Sequence, residues 1–432
     1  MRLAVPLLVF CVAALLALGM VMLYSSSMVQ VGARYMLIQL VWGALGLVVC
    51  VTAASLDYHL LRRFAVPFLV LAVVLLTLVF IPGIGIHRNG ASRWVGHGHT
   101  SLFQPSEFAK FALIVALAWY GERYQRQMPS LKRGIAIPGL MIAVVLGLIF
   151  REPDRGTTIL LASVSGAMLL IAGARWRFFV PPVLAGIAGL AISLWHDPMR
   201  TKRIFGWLYL EEHKSGVGYQ AYQAMIALGA GGWTGLGLGN GRQKLGFVPE
   251  HHTDFIFSII GEELGFIATL LVILAFIAIV LCGIYIAMKA PDSFGLLLGS
   301  GIALLIGLQA FINIGVVTSA LPNKGLPLPF ISYGGSNLLM MLTSVGVLLS
   351  ISRFAREDEP LNHAGSDSIR QRWFGPKENP FRSAKGEAQR ARKIAAEASH
   401  SQSCGFYPHT AFVAFFCILL SLLALTAPHF LA

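Results

Sequence analysis

The chain has 432 residues, 56% of them hydrophobic and only 12% charged, with a mean hydropathy of +0.71. Soluble domains carry about 25% charged residues, so this composition excludes a string of ordinary soluble domains and fits a polytopic membrane bundle with tails. The net charge of +13 is scattered through loops between apolar runs, which points to anionic lipid headgroups or an anionic lipid-linked substrate rather than nucleic acid.

In chain order, apolar runs long enough to span fall near 3–23, 36–54, 64–81, 107–121, 135–150, 157–173, 178–195, 255–288, 296–320 and 337–352. They predict an all-α transmembrane bundle of about ten helices occupying residues 1–355. Only Arg2 precedes the first run, and no small-residue cleavage site follows it, so it reads as a retained helix. With the N-terminus cytoplasmic, the inner loops hold Arg2, Arg62, Arg63, Arg123, Arg126, Lys132, Arg133, Arg175, Arg177 and Lys289. The outer ones then hold the smaller set Arg34, Arg88, Arg93, Arg151, Arg155 and Lys324, which is the bias that topology requires. Cys11, Cys50, Cys282, Cys404 and Cys417 show no CxxC or metal-finger spacing, and four of them sit in apolar stretches as small hydrophobes.

Several outer segments carry polarity. Residues 82–106 form a Gly-rich loop containing HRNGASRW, where Arg93 beside Trp94 suits a phosphate. In QPSEFAK, Pro105 opens a helix whose first turn places Glu107 and Lys110 at i and i+3, an ion pair that lipid tolerates only when turned inward. In REPDRGTT, Arg151, Glu152, Asp154 and Arg155 crowd a tight turn that is either a solvated hairpin or the lining of a site. The long outer segment 196–254 is too aromatic for a linker and predicts short helices lying in the membrane interface. Its GLGLGNGRQKLG stretch has no preceding strand, so it is no dinucleotide loop, and Arg242 and Lys244 are left as headgroup contacts.

The stretch VPEHHTDFIFSIIGEE closes that segment. Asp254 stands where polarity gives way to Phe255, Ile256 and Phe257; it either caps the next helix or serves as a partly desolvated base, and the two roles are compatible. On a helix, Ser258 and Glu262 would share its face. Glu250, His251, His252 and Asp254 lack a zinc spacing, so no metal site is expected, and His252 is expected to tune Asp254. In LPNKGLPLPFISYGGSN, prolines and glycines exclude regular helix, so this segment lines a protein-covered cavity where Lys324 and Ser332 meet an anionic substrate. Residues 356–410 are polar and mixed in charge, as a flexible cytoplasmic tail would be, and 411–427 is a further apolar run of open topology.

NGASRW, QPSEFAK, PDRGTT, PEHHTDFIFSIIGEELGF and LPLPFISYGGS, in this order over about residues 7–353, resemble the SEDS family of peptidoglycan polymerases, the RodA/FtsW group, and the division branch more than the elongation branch. The resemblance implies an inverting glycosyltransferase that polymerises lipid II at the outer face of the bacterial inner membrane, with lipid II transport as the rival activity. It implies Asp254 as general base and undecaprenyl pyrophosphate as leaving group, its charge stabilised by cations; the residue reading offers Arg93, Arg155, Arg242, Lys244, Lys324 and Ser332 as substrate contacts. Glu107, Lys110, Asp154, His252 and Glu262 are carried as structural or cavity residues. A divalent cation, Mg2+ or Mn2+, is expected with the pyrophosphate, and a class B penicillin-binding protein and other division proteins as partners. Arg155 departs from the family's usual apolar residue, and the 411–427 run is not a family feature.

Overall fold

In a computed structural model, the described residues are 1–355 except 84, 89, 90, 98, 99, 196, 197, 211, 250 and 251. The expected tail 356–410 and the apolar run 411–427 lie outside them, as do Glu250 and His251. Ten long helices follow the apolar runs: α1 Ala4–Val31, α2 Arg34–Ser55, α3 His59–Leu78, α4 Pro105–Arg123, α5 Ile137–Arg151, α6 Arg155–Ile171, α7 Val180–Trp195, α10 Ile256–Met288, α11 Ser293–Val317 and α12 Gly335–Phe354. Two shorter ones, α8 Pro198–Leu208 and α9 Tyr219–Gly231, form in the long segment between α7 and α10, where short helices were expected. Among the described residues, seven helices are long and apolar enough to cross a membrane. α5 reaches that measure together with the π-helical turn Lys132–Ala136 before it, as the 20-residue span Lys132–Arg151. α6 and α7 fall short at 17 and 16 residues, and α4 carries charge at both ends in Glu107, Lys110, Glu122 and Arg123.

One element is not helical. β1 Gly85–Arg88, β2 Ala91–His97 and β3 Thr100–Phe103 form an antiparallel sheet in the order β1-β2-β3, within the segment expected to be a loop. Strands this short pair only with their chain neighbours, which satisfies the backbone of a connection that has no helix to continue.

α11 lies at the centre, buried along nearly its whole length against α10, α4, α6 and α12. α12 packs on α2, and α3 on α4. The connections gather at two ends. At one, Arg62 Nε meets Glu122 at 3.1 Å, Tyr58 donates to Asp292, and Ser293 Oγ donates to Gln125 at 3.1 Å. At the other lie the sheet, the α5–α6 turn, the 209–255 segment and the proline-rich 318–334 connection, cross-linked by Trp207 Nε1 donating to Ser319 O (2.7 Å) and Ser332 Oγ donating to Thr253 O (2.6 Å).

α10 is not continuous. Gly265 has φ 77° and ψ −174°, a conformation that suits glycine, and the break frees helix carbonyls for an outside partner. Residues 232–237 take that place: Leu236 N donates to Glu262 O at 3.0 Å, Gly237 N to Glu263 O at 2.9 Å, and Phe266 N to Gly232 O at 2.9 Å. The glycine-rich segment is therefore a structural insert at a kink, since only small residues let backbone approach backbone so closely.

Candidate active site

Asp254 sits in the turn just before α10. The N-cap position is Phe255, so Asp254 stands one residue before the cap and outside the helix proper. The shared helical face with Ser258 and Glu262 is corrected for that reason. Ser258 Oγ donates to Phe255 O at 2.7 Å, and Glu262 accepts from the backbone amides of Arg242 (2.7 Å) and Gln243 (3.2 Å).

The proline-rich connection holds this turn from the side. A β-carbon built on Gly325 would lie 2.5 Å from Asp254 Oδ2, so the carboxylate rests against the bare backbone of that glycine. Lys324 stands next to it in the chain. Burial pushes the Lys324 ammonium below its ordinary pKa, and the Arg155 guanidinium pushes it the same way. Arg155 is therefore near enough for its charge to act on Lys324. Arg155 opens α6 with its guanidinium 5.3 Å from the Phe150 ring centre. Next along α6, Gly156 packs on Leu326, where a β-carbon would come within 2.9 Å of the side chain. The α5–α6 turn is thus a wall of the site rather than a detached hairpin.

That wall is tied down. Arg93, on β2, donates from Nε to Glu152 O at 3.1 Å and from Nη2 to Pro153 O at 2.7 Å, so these two nitrogens fasten the sheet to the turn. Asp154 caps α6, accepting from Thr157 N at 3.1 Å and Thr157 Oγ1 at 3.0 Å. Glu152 is 1% exposed, and among the described residues neither carboxylate oxygen has a hydrogen-bond donor. Burial, then the nearby Asp154, raise its pKa to about 8, with Arg93 opposing.

The rest of the expected set divides. His252 stacks on Tyr35 at 4.9 Å between ring centres, and Tyr35 also meets Tyr333 at 4.7 Å, so three rings lock the Asp254 turn to α2 and the proline-rich connection. Glu107 and Lys110 form the expected pair at 2.8 Å, 3% and 1% exposed. Two expected substrate contacts are corrected. Ser332 is 2% exposed, its hydroxyl donating to Thr253 O and accepting from Leu328 N at 2.7 Å. Lys244, 3% exposed, pairs with Glu263 at 2.6 Å and donates to Ser25 Oγ at 3.0 Å, fixing the glycine-rich insert to α10 and α1. Burying a lysine demands such a partner, and a basic residue in a glycine-rich run does not disclose one. Arg242 keeps an exposed side chain on that insert.

Sequence reasoning missed Gln309 and Asn313 on α11. Asn313 Nδ2 donates to Asp254 O at 2.8 Å and to Leu326 O at 2.6 Å; Gln309 Nε2 donates to Pro327 O at 2.9 Å, and its Oε1 accepts from Lys110 at 2.8 Å. The available signal was two amides at i and i+4 in an apolar run. Among the described residues, no three His, Cys, Asp or Glu side chains converge on a metal position.

The family profile FTSW_RODA_SPOVE, described as a cell cycle protein, matches residues 6–357. A probable peptidoglycan glycosyltransferase FtsW of Trichlorobacter lovleyi is 43% identical over 351 residues, covering 80% of this chain and 92% of the relative. Stage V sporulation protein E of Bacillus subtilis is 41% identical over 357 residues, covering 81% and 97%. Among solved structures, a chain of a peptidoglycan synthase complex that coordinates polymerization and crosslinking superposes with a TM-score of 0.69 at 28% identity, covering 81% of this chain and 98% of its own. The rod shape determining protein RodA of Thermus thermophilus superposes at 0.61, also at 28% identity, covering 81% and 97%.

Proposed function

Because the chain belongs to the FtsW, RodA and SpoVE family, we propose that it is a peptidoglycan glycosyltransferase that polymerises lipid II, of the FtsW type that serves cell division. It is a multi-pass membrane protein; we place it in the bacterial inner membrane with its N-terminus cytoplasmic, which puts Asp254 and the proline-rich connection outside.

The observation that carries this reading is the juxtaposition of Asp254 with Gly325, next in the chain to the partly desolvated Lys324 on which the Arg155 charge acts. A base next to an anion receptor fits glycosyl transfer from a lipid pyrophosphate donor. Asp254 takes the proton from the acceptor sugar's 4-hydroxyl as that oxygen attacks the donor's anomeric carbon. The anomeric C–O bond to the pyrophosphate breaks on the opposite side, inverting the centre, and Lys324 and Arg155 take up the negative charge that leaves. A divalent cation would arrive on the pyrophosphate as part of the substrate. A class B penicillin-binding protein would be the partner that crosslinks the strands, consistent with the likeness to a synthase complex.

Transport of lipid II is the competing activity, and one variant separates the two. In proteoliposomes, Asp254→Asn is expected to leave lipid II binding and any lipid II movement as in the wild type while glycan strands disappear. Loss of movement with strand formation preserved would reverse the assignment.

A further inference from the structure

We infer that Asn313 and Gln309, one turn apart on α11, are positioning residues that set the place of Asp254, an inference that rests on Asp254 being the base. Both side chains are fully or almost fully buried, at 2% and 0% exposure, in a predominantly apolar helix. Buried amides there are costly unless their hydrogens find acceptors, and here every amide hydrogen has a destination.

The orientation of Asn313 follows from its partners. Nδ2 lies 2.8 Å from Asp254 O and 2.6 Å from Leu326 O, and turning the amide over would set oxygen against two carbonyl oxygens. One side chain thereby grips both sides of the Asp254–Gly325 contact: residue 254 on one side and residue 326, next to Gly325, on the other. A turn away, Gln309 ties the same connection to α12, donating to Pro327 O at 2.9 Å and Asn337 Oδ1 at 3.1 Å. Its remaining oxygen accepts from Lys110, whose ammonium is balanced by Glu107 at 2.8 Å. The connection needs this help because Pro322, Pro327 and Pro329 offer no amide hydrogen and its backbone cannot close a regular ladder. A ladder of buried polar groups thus runs from Glu107 through Lys110 and Gln309 to the proline-rich connection, and through Asn313 to the backbone of Asp254.

The test is steady-state polymerisation of lipid II by the full chain with a class B penicillin-binding protein added, comparing wild type, Asn313→Ala, Asn313→Ser, Gln309→Ala and Asp254→Asn. Displacing a reacting group by about 1 Å costs up to ~100-fold, so Asn313→Ala is expected to lower kcat by roughly 10- to 100-fold with KM within about threefold. Asn313→Ser keeps one donor for two carbonyls and should fall between Ala and wild type; it decides the matter if the alanine variant does not fold. Gln309→Ala, one step further from the carboxylate, should lower kcat less than Asn313→Ala. A wild-type kcat in Asn313→Ala or Asn313→Ser, or parallel loss of kcat and lipid II affinity, overturns the positioning role. An inactive Asp254→Asn beside a normal Asn313→Ala removes this inference alone, whereas an active Asp254→Asn removes the base assignment and this inference with it.

Discussion

At Gly325 the side chain is a hydrogen atom, and Asp254 occupies the space a methyl group would need. Gly325→Ala should therefore displace the carboxylate without touching the Asn313 bonds, lowering polymerisation roughly 10- to 100-fold at unchanged lipid II affinity; a variant that turns over normally would show that the contact is dispensable. Glu152 offers a second test. Its folded pKa of about 8 lies above the ordinary 4.5, so the folded chain holds this proton more tightly than the unfolded chain does. Folding is then linked to proton uptake, and stability falls as pH rises through that interval. Wild type should melt at progressively lower temperature from about pH 4.5 to about pH 8 and level off above that, while Glu152→Gln, which stays neutral, should show a flatter profile and exceed wild type at the alkaline end. Parallel profiles in detergent melts would contradict the assignment. Asp254, His252 and the Glu107–Lys110 pair could be singled out in the sequence because polarity at the edge of an apolar run is conspicuous. Lys244 and Ser332 could be singled out too, but their partners, Glu263 and Ser25 for one and the backbone of Thr253 and Leu328 for the other, come from folding and not from spacing.

Among the elements, α4 and α11 share the charged part of the interior. Lys110 neutralises Glu107 within α4 and reaches Gln309 on α11. Removing one member of a buried pair strands the other, at about 3–5 kcal/mol, whereas replacing both by apolar residues avoids that penalty. Lys110→Met should accordingly destabilise the fold by about that amount, and Glu107→Leu combined with Lys110→Met should cost less than Lys110→Met alone. Thermal unfolding of purified variants measures both, and a double variant worse than the single would refute the pairing argument. The sequence displayed this i, i+3 pair directly. It did not display the break in α10, because Gly265 looks like any other glycine in an apolar helix until residues 232–237 are seen to need its carbonyl neighbours. The small sheet was hidden for a related reason: strands of 4, 7 and 4 residues are too short to impose a periodicity on a glycine-rich segment.

For the whole molecule, the ten long helices were legible because spanning apolar runs are the strongest signal a sequence carries. The gathering of the connections around Asp254 was not, since it depends on which helices pack on α11. The fold brings the 85–103 sheet, the α5–α6 turn and the 318–334 connection together with Asp254, although they are far apart in the chain. If Lys324 and Arg155 form the anion receptor, Lys324→Gln and Arg155→Gln should each raise the KM for lipid II by about tenfold or more while the protein folds and inserts normally. Equal loss of folded protein and of activity would make them structural instead. The most direct measurement is glycan strand formation from purified lipid II by the full chain with a class B penicillin-binding protein added, wild type against Asp254→Asn. The account predicts strands from the wild type and none from the variant, with lipid II still bound; strands of normal length from Asp254→Asn would contradict it.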